Sequence, residues 1–194
     1  GCMAGAFESC DLHPPRLEDV RPRIGLRLEE AIRQLIRDRR DVDITAVAER
    51  YRELHVSVAA PATVLYPGAQ SALAMLDAAG IRLAVVSQKA RRGLTQLMGQ
   101  LAVEQYFDLV LGSDDVTAPK PQAALYERHI APWAGEVERE RLLVVGDTDI
   151  DLRFAVNVGA RGCWAEYGYG HRDSCRAIEP AHTIGSITDV TSVC

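Results

Sequence analysis

The sequence predicts an α/β protein in which a Rossmann-like parallel sheet, covered by helices on both faces, carries a small helical domain. Three observations lead there. From residue 64 onward, short and almost unbroken apolar runs alternate with amphipathic stretches, the texture of strands buried on both faces. Before residue 64, every patterned segment has helical periodicity and none reads as a strand. The apolar runs also end in residues that carry chemistry, "VVS" in Ser87 and "VVGD" in Asp147. The expected division is therefore 1–63 for the helical part and 64–194 for the core.

Each element has its own reason. Residues 3–10 read as a short helix, separated from the next one by Pro14-Pro15. "LRLEEAIRQLIR" places apolar groups at 28, 31, 32, 35 and 36, the stripe of an amphipathic helix. "DITAVAERYRELHVSV" repeats it with Ile44, Val47, Ala48, Tyr51, Leu54 and Val58, and Asp43 is placed as its N-cap. "GAQSALAMLDAAG" is a helix closed by Gly80, and "IRLAVVS" is a buried strand. "RRGLTQLMGQL" is a helix with Leu94, Leu97, Met98 and Leu101 on one side. "FDLVLGS" is a strand, "KPQAALYERHI" a helix and "RLLVVGD" a strand. A helix over 149–158, the strand "RGCWAEYG" and a weak strand near "AHTIGS" complete the series.

Composition narrows the function. The 194 residues suffice for one large domain or a domain with an insert, and 47% hydrophobic with 25% charged residues is ordinary for a soluble globular chain. A net charge of −5 gives no electrostatic support to a nucleic-acid or anionic-membrane partner. No apolar run approaches the ~18 residues of a membrane span, and the opening residues do not read as a signal peptide. Five cysteines, at 2, 10, 163, 175 and 194, form no CxxC pair and read as reduced thiols of a cytoplasmic protein. A small-molecule partner and a monomer or homodimer are expected. Of 22 basic residues only Lys89 and Lys120 are lysines. A lysine framed by Pro119 and Pro121 in so arginine-rich a chain therefore draws notice.

In open parallel sheets, ligands bind beyond the carboxyl ends of the strands. There the sequence gathers one hydroxyl (Ser87), one ammonium (Lys120) and two carboxylates (Asp147 and Asp151). If a helix starts at about Thr148, positions 147 and 151 share one face. Two close carboxylates repel unless a cation sits by them, and an oxygen-only donor set suits Mg²⁺. Lysine, metal and hydroxyl around one point make a phosphate site. Singly, each residue has a plainer reading. Asp147 or Thr148 caps a helix, Asp149 and Asp151 complement its dipole, Ser87 is a loop hydroxyl, and Lys120 is a solvated charge. Their ordered occurrence at strand ends is what carries the site.

With those residues in view, the chain resembles the haloacid dehalogenase-like hydrolase superfamily, nearest its phosphoglycolate phosphatase branch. Ser87 in "VVSQK" matches the second motif, Lys120 in "APKP" the third and "GDTDID" the fourth, while "LYPGAQSALAMLDAAG" and "GARGCWAEYGYG" also read like that branch. "IGLRLEEAIRQL" resembles the start of its helical cap. The resemblance implies a Rossmann-like core, a cap that closes over the site, and Mg²⁺-dependent hydrolysis of a small phosphorylated metabolite through an aspartyl-phosphate. It implies Lys120 and Ser87 as catalytic, Ser87, Gln88, Lys120 and Arg27 as substrate contacts, and Asp147 and Asp151 as metal ligands. Arg21, Arg23 and Arg27 surround Gly25, and Arg27 could clamp a substrate carboxylate as phosphoglycolate requires. Residues 1–63 hold no lysine for a Schiff base, which removes phosphonoacetaldehyde cleavage, and the acid pair argues against metal-free dehalogenation. Phosphoglucomutase-type transfer shares the core and stays open.

One part of the pattern is missing. The family's first motif is a strand followed by Asp-x-Asp-Gly-Thr. The closest string, "ESCDLHPP", keeps Asp11, replaces the second acid with His13 and continues into prolines. Asp11 is expected in a loop and the attacking residue upstream of Gly1; a catalytically inactive relative is the alternative. Without its central first strand, the sheet would leave two inner strands with unpaired N–H and C=O rows. The expected sign is a gap in mid-sheet or something filling it.

Overall fold

A computed structural model describes residues 1–37, 39 and 41–194. The chain forms two compact units, Gly1–Val64 and Leu65–Cys194. Among the described residues, no helix is long and apolar enough to cross a membrane.

The first unit is helical: α1 (Cys2–Glu8), α2 (Leu17–Val20), α3 (Leu28–Ile36) and α4 (Ile44–Leu54). The apolar stripe of α3 buries Ala31 and Ile32, that of α4 buries Val47 and Ala48, and both close on Ala6 and Phe7 of α1. Asp43 caps α4 by accepting from the amides of Thr45 (2.9 Å) and Ala46 (3.2 Å). Asp11 lies in the turn after α1 with φ +56°, outside any strand.

The second unit is α/β. Its elements are α5 (Ala69–Ala78), β1 (Ala84–Val86), α6 (Arg91–Gln100), β2 (Leu109–Leu111), α7 (Ala123–Leu125), α8 (Ala131–Ala134), β3 (Leu143–Gly146), α9 (Asp149–Val158), β4 (Arg161–Ala165), α10 (Arg172–Arg176) and β5 (His182–Ile184). The helix expected over "KPQAALYERHI" opens into a wider i→i+5 turn over Tyr126–Ile130, between α7 and α8. Every strand pair is parallel. Leu76 of α5 packs in one cluster with Cys163 of β4 and Ile184 of β5, and Leu125 of α7 packs in another with Leu111 of β2 and Phe154 and Val158 of α9.

The strands do not form one sheet. β1 pairs with β2 alone, and β3, β4 and β5 form a second sheet in that order. Among the described residues no strand hydrogen bond joins β1 to β3, so each keeps one open edge. Val145, in the middle of the apolar run "LLVVG", is consequently 40% exposed. The sequence expectation of a break between inner strands matches this arrangement, and it falls between the strands that end in Ser87 and Asp147.

The helix nearest that break is held from its inner side. Leu152 is 1% exposed and lies in one cluster with Trp164 of β4 and Cys175 of α10. Leu152→Ala removes this anchor and is expected to cost about 2–5 kcal/mol of unfolding free energy, read as a lower urea midpoint. A loss under about 1 kcal/mol would mean that α9 is not seated by this contact.

Candidate active site

All of the core's candidate residues follow strand ends of the second unit. Ser87 is the first residue past β1. Its amide donates to Leu111 O of β2 (2.9 Å), continuing the ladder, and its hydroxyl oxygen accepts from the Lys89 amide (3.1 Å). That turn holds the hydroxyl in place and leaves its own proton to donate. Gln88 is next in the same turn and is half-buried.

Lys120 stands opposite. Its ammonium donates to Val86 O (3.0 Å) and to Asp151 Oδ1 (2.6 Å), and the two side chains are only 14% and 12% exposed. Two of its three protons are committed, and one remains.

Asp151 is engaged on both oxygens. Oδ2 accepts from the Thr148 amide (3.1 Å) and hydroxyl (2.7 Å), completing a capping box in which Thr148 is the N-cap of α9. A Cβ at Gly146 would overlap the Asp151 side chain, so only glycine lets the strand end pass this close. Burial alone would raise the Asp151 carboxyl, but the Lys120 ammonium and the Thr148 donors outweigh it and hold the group below the usual carboxylate range.

Asp147 is treated differently. Its Oδ2 accepts from the Tyr169 amide (2.8 Å), and its backbone carbonyl accepts from the Cys175 thiol (S···O 3.7 Å). Oδ1 receives no hydrogen bond among the described residues. The two aspartates are not the equal pair on one helix face that the spacing predicts. Thr148 is extended (φ −113°, ψ 160°) and α9 begins at Asp149, as the pattern over 149–158 predicts, so Asp147 lies outside the helix and the shared face that a start at Thr148 would give does not form.

Lys120 thus bridges the Val86 carbonyl, next to Ser87, and Asp151, while a separate loop holds Asp147. Arg27 belongs to the helical unit, as the N-cap residue of α3. Sequence reasoning named Thr148 as one of two possible caps but missed the capping box that it forms with Asp151, although "TDID" has the spacing for one. It also missed the loop Tyr167–Gly170 that touches Asp147. Among the described residues no three or more His, Cys, Asp or Glu side chains cluster as a metal site. What fits a hard cation is the unengaged Oδ1 of Asp147, an oxygen donor of the right type but a single one.

The model of the haloacid dehalogenase-like hydrolases matches residues 1–165. The chain belongs to this family. Within it, the chain falls in the branch that resembles phosphoglycolate phosphatases, and it is a phosphatase-type hydrolase by kinship. It is 30% identical to a protein of Dickeya dadantii named "Probable phosphatase IndB", over 88% of this chain and 75% of that protein. It is 28% identical to the phosphoglycolate phosphatase of Pseudomonas putida, over 93% of this chain and 68% of that enzyme. In fold it is similar to a crystal structure from Haemophilus somnus described as a predicted phosphoglycolate phosphatase, with a TM-score of 0.84 at 18% identity, covering 99% of this chain and 88% of that one.

For this hydrolase, the Lys120–Asp151 link has a measurable signature. Asp151 titrates below its unfolded value of 3.8, so its stabilisation is complete above that value and lost as pH falls through the depressed folded one. Lys120→Met leaves the carboxylate buried without its cation and is expected to cost about 3–5 kcal/mol at neutral pH. Without the ammonium, burial pushes the carboxyl up, so the folded variant takes up the proton more readily than the unfolded chain and its stability deficit against the wild type shrinks as pH falls. Urea midpoints from about pH 3 to 7 check both shifts, and superimposable profiles would contradict them.

Proposed function

We propose that this protein hydrolyses the phosphate ester of a small metabolite, phosphoglycolate or a close analogue, with Mg²⁺ and through an aspartyl-phosphate. Lys120 is the observation that carries this reading. An ammonium shielded from water and fixed by a carbonyl and a carboxylate keeps one proton uncommitted, and the Ser87 hydroxyl, one residue past that carbonyl, keeps its own. That is the arrangement that stabilises charge on a phosphoryl oxygen. In this assignment Ser87 and Gln88 contact the phosphate, and Asp147 offers Oδ1 to the cation. Asp151 fixes Lys120 and is not a second ligand. When bound, Mg²⁺ neutralises charge on the phosphoryl oxygens.

The attacking group is assigned to a strand seated between β1 and β3 and lying outside residues 1–194. The two open edges support this, because a strand there would pair both. A carboxylate oxygen on that strand bonds to phosphorus as the ester oxygen leaves with a proton. Water then splits the acyl phosphate, returning the carboxylate and releasing inorganic phosphate. The helical unit is assigned the role of cap, with Arg27 holding the substrate carboxylate. The relatives named phosphoglycolate phosphatase support that substrate class. A monomeric or homodimeric cytoplasmic enzyme with no nucleic-acid or membrane partner fits the net charge of −5. A second reading, phosphate binding without hydrolysis, is favoured for residues 1–194 alone, since Asp11 stands in a turn of the helical unit.

The gene's whole product and residues 1–194 are to be assayed side by side on p-nitrophenyl phosphate and phosphoglycolate, with Mg²⁺ or EDTA. The whole product is expected to turn over both esters only with Mg²⁺. Lys120→Ala should lower kcat at least about 100-fold, and Arg27→Ala should raise KM about tenfold for phosphoglycolate alone. EDTA-resistant turnover, or no turnover of any monoester by the whole product, would refute the assignment.

A further inference from the structure

We propose that the loop Tyr167–Gly170 is the positioning element of the Asp147 carboxylate, holding it in the one orientation that offers Oδ1 to a cation. The inference rests on the reading of Asp147 as the cation's ligand and adds what sets its affinity.

Four contacts converge on this residue. The Tyr169 amide donates to Oδ2 at 2.8 Å, taking one oxygen and leaving the other. A Cβ at Gly168 would overlap the Asp147 side chain, and a Cβ at Gly170 would overlap the Asp147 carbonyl oxygen, so the loop wraps the residue at a distance only glycine allows. The Cys175 thiol donates to that same carbonyl (S···O 3.7 Å). The loop is itself anchored. The Tyr167 ring meets the Tyr66 ring edge-on, with centroids 4.9 Å apart and planes at 71°. Tyr169, in contrast, is 64% exposed, so its side chain is not what holds the carboxylate; its backbone N–H is.

A free aspartate must give up side-chain rotation when it binds a metal, and one that is already fixed does not. The alternating "YGYG" of residues 167–170 therefore has a functional reason: glycines where the backbone must approach, and an amide between them.

The test uses Mn²⁺ as probe, its free ion counted by electron paramagnetic resonance against the intact protein. Tyr169→Pro removes the amide proton, and Tyr169→Ala keeps it. The alanine variant is expected to bind Mn²⁺ about tenfold more tightly than the proline variant. Should the proline variant lose its thermal melting transition, Gly168→Ala against wild type carries the comparison, with the same tenfold weakening expected. Asp147→Asn separates the two levels. Equal affinity of the proline and alanine variants, or of Gly168→Ala and wild type where it replaces them, beside a weakened Asp147→Asn overturns the positioning role alone. No Mn²⁺ binding by the wild type, or binding unchanged in Asp147→Asn, overturns the cation reading and the loop's role with it.

Discussion

One ammonium connects the two sheets of the core. Lys120 reaches Val86 O on the open edge of β1 and Asp151 at the start of α9, the helix after β3. A charge this shielded from water is tolerable only when its hydrogen bonds are made, and here two of three are. The residue type matters. The chain uses arginine for 20 of its 22 basic residues, yet a planar five-donor guanidinium does not fit between one carbonyl and one carboxylate oxygen. A compact ammonium does, and its last proton is left for a ligand.

The open edges of β1 and β3 give the region a second property. A parallel strand is normally paired on both sides and buried on both faces, and Val145 is neither. Lys120 satisfies one carbonyl of the exposed row, Val86 O, and no more. An unpaired row of N–H and C=O groups is a template for another strand, and water can satisfy it only while the edge stays wet. The site and the break are therefore one feature. Ser87, which follows β1, and Asp147, which follows β3, stand at the ends of the two strands whose pairing stops there.

Much of this was legible in the sequence because it rests on periodicity and on residue types that rarely substitute for one another. The stripes of α3 and α4 and the Asp43 cap come directly from the order of apolar and polar residues. So do the α/β class and the placement of Ser87 and Asp147 at strand ends. Features set by backbone detail escaped. The five-residue α10 and the turn Ile187–Ser192 are too short for a hydrophobic period to register. The wide turn before α8 leads into Pro132, whose missing N–H no period reports. The contact of the loop Tyr167–Gly170 with Asp147 spans about twenty residues, and no local pattern encodes it.

The separation of the two aspartates shows how one residue of helix phase decides a chemical role. Had α9 begun at Thr148, Asp147 would have been its N-cap, its carboxylate taken by the amides two and three residues on. Thr148 caps instead, in extended conformation, with Asp151 closing the box from the third helical position. The helix start thus consumes Asp151, which Lys120 then uses as its counter-charge, and Asp147 is released from any duty to the helix. Its remaining partners are backbone groups of a distant loop and one thiol, none of which brings a formal positive charge. A carboxylate held by neutral donors has no counter-charge beside it to offset its attraction for a cation, whereas one paired with a lysine does.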